Sequence, residues 1–207
     1  MVGYDHPLNT VGIDQALTFN AKWTKAQAAG STHQLTIAES KFLKAERVIA
    51  SPLTRATQTA LLTCHSHIHL NNTNKPLMLF RNLREKKNKS LSLDTVGQEV
   101  GDGIRRRVQE QLIEEKFSNN PTEVEKYMNV KMNYNDCDTV WWTGKSHGDS
   151  KVALTSRYDE LWSYLKYMKE TSAILVGHSL FFREMQRRYL DAEYCQTSTG
   201  TARFFVS

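Results

Sequence analysis

The sequence predicts an α/β domain built on a mostly parallel sheet, and three observations carry that expectation. Arg47-Val48-Ile49-Ala50 and Ala173-Ile174-Leu175-Val176-Gly177 are short and apolar, with β-branched residues at their centres, as strands buried on both faces are. Each run stops at a polar junction, Ser51-Pro52 or His178-Ser179, beyond which a helical pattern begins. Leu154, Tyr158, Leu161, Leu165 and Met168 recur at spacings of four and three, the seam of one amphipathic helix. Strands alternating with helices favour parallel pairing, because each helix carries the chain back across the sheet.

The elements follow in order. Gly12 precedes a helical stretch over residues 13–29, with Ile13, Ala16, Leu17 and Trp23 loosely on one face and Gly30 at the position after its end. Arg47-Val48-Ile49-Ala50 is the first strand run, and a helix over 54–62 follows, with Pro52 near its start, where a missing N–H costs nothing. Residues 75–80 read as another strand and 97–116 as a charged helix. Residues 118–138 are polar and read as irregular or inserted, and Trp141-Trp142 reads as a packing anchor. After the seam helix and the second strand run, 180–189 reads as a helix, and Thr201-Ala202-Arg203-Phe204-Phe205-Val206 is a candidate for a further strand. The expected organisation is one domain over 1–207 with an inserted lobe at about 70–148.

Composition narrows the function classes. A chain of 207 residues, 40% hydrophobic and 24% charged, is long enough to bury a core and too apolar for disorder. Cys64, Cys137 and Cys195 are odd in number and lack CxxC spacing, so neither a disulfide framework nor a zinc site is expected, and a reducing compartment is. The first residues show no signal-peptide pattern and no apolar run reaches membrane-spanning length, so the expected setting is cytoplasmic with no membrane partner. The net charge of +5 comes from scattered residues, with short clusters at Lys86-Lys87-Asn88-Lys89 and Arg105-Arg106-Arg107. Neither is interleaved with aromatics, so nucleic acid is not the expected partner. His65, His67 and His69 alternate as strand-borne metal ligands could, but no acidic or cysteine partner is near, and polar side chains at a helix end are expected instead.

In open α/β sheets ligands gather at the carboxyl ends of strands, where helix N-termini point outward. Arg55 lies in the first turn of the helix after the first junction, and His178 lies just past the second strand run. A helix N-terminus repels a cation, so an arginine there makes sense if a phosphate bridges the two.

Around these residues a family resemblance takes shape. Ser51-Pro52-Leu53-Thr54-Arg55-Ala56, continued by Gln58-Thr59-Ala60, resembles the signature of the histidine phosphatase superfamily, branch one, whose fold is phosphoglycerate-mutase-like. Asp5-His6-Pro7-Leu8 followed by Gly12, Gln15 and Ala16 is similar to another of its segments. So are Leu83-Arg84-Glu85 with Asp94-Thr95 and Gly97, and Val176-Gly177-His178-Ser179. The four stretches occur in family order from Asp5 to about Arg183. The resemblance implies a parallel sheet flanked by helices on both faces, phosphomonoester hydrolysis through phosphohistidine, no metal and no cofactor. By it, Arg55 and His178 bind phosphate and stabilise the transition state, and Glu85 is the candidate proton donor, its other reading being a solvated loop glutamate. Ser179 either offers its backbone N–H to the same anion or caps a helix, and Asp149-Ser150 reads as the cap of the helix that follows.

The family's Arg-His-Gly stretch, which bears the attacking histidine and lies on the first strand, does not occur in the chain. The first strand of the family fold is therefore expected to be missing. His6 sits inside a segment where the family has no nucleophile. Three readings stay open. One is a phosphatase represented by an incomplete chain. The second is a catalytically dead relative that binds a phosphorylated small molecule or phosphoprotein. The third is a basic module for nucleic acid.

Overall fold

A computed structural model describes residues 4–28, 37–70, 75–87, 93–142, 148–189 and 205–206. Its helices are α1 (Thr10–Ala28), α2 (Ile37–Leu43), α3 (Thr54–Leu70), α4 (Asp102–Leu112), α5 (Thr122–Met128), α6 (Lys151–Tyr167) and α7 (Ser179–Tyr189). Its strands are β1 (Arg47–Ala50), β2 (Leu77–Leu79), β3 (Met132–Asn133), β4 (Ala173–Gly177) and β5 (Phe205–Val206). Gly30, Asn88, Lys89 and Cys195, named above, lie outside the described residues, and so do the first four residues of the 201–206 stretch.

Successive side chains of a strand point to opposite faces, so a strand covered on both sides feeds two cores. Val48 and Ala50 of β1, Leu77 and Leu79 of β2, and Ile174 and Val176 of β4 join Ile13, Trp23, Leu61, Val108 and Tyr127 in one core. Ile49, Met78 and Leu175 point the other way, onto Leu154, Tyr158 and Leu161 of α6 and Phe181, Phe182 and Met185 of α7. The helices thus lie on both faces, α6 and α7 on one and α1, α3, α4 and α5 on the other. The strands are all parallel, in the order β3-β2-β1-β4-β5. From β1 the chain builds outward through β2 to β3, then returns to place β4 on the other side of β1. That reversal falls between β1 and β4, and in open α/β sheets ligands bind outside the carboxyl ends of the strands at such a point.

Helix α3 packs against β1 and β4 and is buried from Ala56 to Cys64. Its polar residues are satisfied locally, Thr57 donating to the Ser51 carbonyl and Thr63 to the Thr59 carbonyl. It runs to Leu70, past the expected end at 62, because the polar residues beyond Leu62 find partners: His67 Nε2 lies 3.0 Å from the Phe42 carbonyl. Helix α1 begins at Thr10 rather than after Gly12, since Asn9 Oδ1 accepts the Gly12 N–H and Glu115 accepts from the Thr10 N–H.

The stretch 118–138, expected to be irregular, contains α5 and β3. Val124, Tyr127 and Met128 form an apolar face that the charged Glu123, Glu125 and Lys126 obscure in the sequence. Within 70–148, β2 and β3 belong to the one sheet, and Ile104, Val108, Val124, Cys137 and Trp141 belong to the same core as β1 and α3. The helix expected at 97–116 is α4 extended by a π-helical turn, Ile113–Phe117. Trp141 and Trp142 meet edge to face over Gly97, where a Cβ would come within 2.7 Å of Trp142. No helix among the described residues is long and apolar enough to cross a membrane.

Candidate functional site

Parallel pairing of Ala50 with Val176 sets the first residues beyond β1 and β4 side by side. The Ser51 N–H donates to the Val176 carbonyl at 2.9 Å, and the Ser51 hydroxyl lies 3.0 Å from His178 Nε2. His178 is fully buried and its Nδ1 has no partner. Burial, then the nearby positive charges of Arg55 and Arg157, hold its pKa well below the ordinary imidazole value, so the ring is neutral at pH 7.

Arg55 occupies the first turn of α3, as expected, and its guanidinium donates to the Asp94 carbonyl at 3.1 Å. Among the described residues its salt-bridge partner is Asp94 Oδ2, 4.0 Å away on a side chain that is 46% exposed, so its charge is only loosely compensated there. Glu85 is half-buried and carries a raised pKa, because burial outweighs the Lys86 N–H at 2.8 Å and the attraction of Arg55. Arg55 is thus near enough to act electrostatically on both Glu85 and His178. Ser179 is the first residue of α7 and half-buried, and it is the His178 carbonyl that accepts the Phe182 N–H.

The N-terminus of α3 is already occupied by an anion. The buried Asp5 carboxylate accepts the Thr54 N–H and the Thr54 hydroxyl, each at 2.7 Å. Arg107 backs it, its Nε 3.6 Å from Asp5 Oδ2 and its NH2 donating to the Asp5 carbonyl. A ligand phosphate would therefore meet Arg55 beside the helix end and not on its first N–H. Burial raises the Asp5 pKa despite these partners. Leu8 N–H donates to Gln58 Oε1, tying the Asp5-to-Leu8 segment to α3 a second time. His6 is exposed beside this contact.

Asp149 departs from the expected role. Ser150 alone caps α6, accepting the Ala153 N–H at 3.1 Å. The Asp149 carboxylate, fully buried, accepts from Arg84 at 3.1 Å, Arg157 at 2.8 Å and the Lys87 N–H at 3.0 Å. Arg157 also donates to the Asn82 and Arg84 carbonyls and stacks over Phe181, so it clamps the loop that carries Glu85 against α6 and α7. The signal for this was present: Arg157 stands three residues after Leu154 and four before Leu161, inside the apolar seam.

The basic clusters disperse. Arg105 donates to the Val130 carbonyl, Arg106 is exposed and Arg107 serves Asp5, while Lys87 is buried. His65 and His67 leave α3 in opposite directions, His65 onto Tyr127 and His67 onto Phe42. The His69 side chain lies outside the described residues, and no group of metal-binding side chains gathers among the described ones. No protein-family model, curated protein or solved structure matches the chain.

Proposed function

We propose that the carboxyl ends of β1 and β4 form a phosphate pocket of the histidine-phosphatase kind, taking the dianion of a phosphorylated small molecule or phosphoprotein. The observation that carries the reading is the placement of Arg55 and His178 just past the paired ends of β1 and β4, where the strand order reverses, the usual ligand position in open α/β sheets, with Glu85 within the electrostatic reach of Arg55. Arg55 supplies a guanidinium fork whose charge is only partly neutralised. With the Ser51 hydroxyl donating to Nε2, the His178 proton sits on Nδ1, the buried nitrogen without an acceptor, and a phosphate oxygen would satisfy it. Glu85, its pKa raised by burial, is suited to give a proton to a leaving oxygen.

Hydrolysis through phosphohistidine needs a nucleophile in addition to this clamp. Among the described residues the other histidines lie on the exposed segment beside Asp5 and on α3. The described residues assembled here therefore bind and polarise a phosphoryl group, and little or no turnover is expected of them alone. Calorimetric titration with phenyl phosphate tests the binding. Arg55→Ala should weaken it by about tenfold to a hundredfold, the worth of a charge-assisted hydrogen bond. Equal affinity in wild type and Arg55→Ala would refute the pocket. Hydrolysis of a generic phosphomonoester that His178→Ala abolishes would refute the binding-only state of the chain.

A further inference from the structure

A cleft of about 470 Å³ lies between α6 and α7 near the Glu85 loop. Lys86, Lys151, Arg187 and Arg188 line it, with Leu154 and Tyr158 beneath them. Its two acids do not balance these cations. The Asp149 carboxylate is buried on Arg84 and Arg157, and Glu184 is left facing both Lys86 at 3.8 Å and Arg187 at 3.4 Å. Contacts of that length at half-exposed side chains hold weakly and can be exchanged for a ligand.

The placement of Lys151 is the second observation. It is the first residue of α6, which has no acidic residue in its first turn, so a lysine opens a helix whose dipole there favours an anion. Arg187 and Arg188 at the end of α7 suit their own helix, and there they face the same cleft as Lys151. Arg188 already donates to Thr155 at 2.7 Å, which holds its guanidinium in place with further N–H groups to offer.

We infer that this cleft is a binding site for a small polyanion bearing phosphoryl groups. Four cationic side chains line a volume that fits a diphosphate-sized ligand, and among the described residues one shared carboxylate answers them. Such a ligand would bridge Lys151, Lys86 and Arg188 and complete the N-terminus of α6. The site is separate from the Arg55 pocket and does not depend on it.

Pyrophosphate titrated calorimetrically into the full chain at moderate ionic strength tests the inference. Arg55→Ala provides a background in which the first pocket is disabled. Saturable binding should persist in Arg55→Ala and fall at least about tenfold when Lys151→Gln and Arg188→Gln are added, as loss of two charged donors requires. Circular dichroism checks that each variant is folded, and Lys151→Arg, which keeps the charge, should retain binding. Absence of saturable binding in the Arg55→Ala chain would overturn the inference. So would affinity unchanged by the two glutamines, or equal loss in Lys151→Arg.

Discussion

Replacing Asp149 by asparagine removes the negative charge from a buried cluster of two guanidiniums. Oδ2 accepts from Arg157 and from the Lys87 N–H, while Oδ1 accepts from Arg84. An asparagine oxygen can keep the first pair, but its amide then turns N–H groups toward Arg84, donor against donor. One charged hydrogen bond is lost outright, and two cations, with side chains 8% and 5% exposed, lose their shared counter-charge. Breaking a buried ion pair from one side costs about 3–5 kcal/mol. For a chain of this length that corresponds to a fall of roughly 6–20 °C in melting temperature. Urea unfolding followed by tryptophan fluorescence measures it, and the loop bearing Glu85 should lose amide protection together with the stability. A loss under about 1 kcal/mol would refute the reasoning, since Arg84 and Arg157 would then not depend on Asp149 for their charge.

Four other outcomes follow from the same physics. Asp5→Ala removes the carboxylate that caps α3 and should cost about 2 kcal/mol in denaturant unfolding, the upper range for a lost cap. Gly97→Ala drives a methyl group into Trp141 and Trp142 and should cost about 1–3 kcal/mol, with a change in the native tryptophan emission. The folded chain keeps His178 neutral below the pH at which an unfolded chain protonates it, so the unfolded state binds more protons as pH falls through about 6.5. Stability should therefore decline over that range and decline less in His178→Gln, with His67, shifted the same way by burial, supplying part of what remains. Burial pushes the Cys64 thiol up to about 12 and raises Cys137 as well, so mass mapping should find both unmodified by a thiol reagent until the chain unfolds.

Much of the fold was legible because its signals are local. β1 and β4 are continuous apolar runs, and α6 shows its seam at regular spacing, so burial on two faces and on one face leaves distinct patterns. β3 has two residues and no apolar run; its place comes from Leu77 N–H donating to the Lys131 carbonyl, a partner that only the folded chain supplies. The site divides in the same way. Arg55 and His178 stand out because each follows a recognisable strand end. The Ser51 hydroxyl on His178 joins positions 127 residues apart, and Asp5 on Thr54 joins positions 49 apart. Nothing in the local composition marks either contact. Arg157 could have been found, since a charge inside an apolar seam requires a buried partner.

Whether phosphate binds at His178 is read from the histidine nitrogen NMR spectrum of the chain titrated with inorganic phosphate. In the free chain His178 should be neutral, with its proton on Nδ1. Its resonances should shift saturably with phosphate, and that shift should be lost in Arg55→Ala. A His178 signal unmoved by saturating phosphate, or one that moves equally with Arg55 removed, would contradict it.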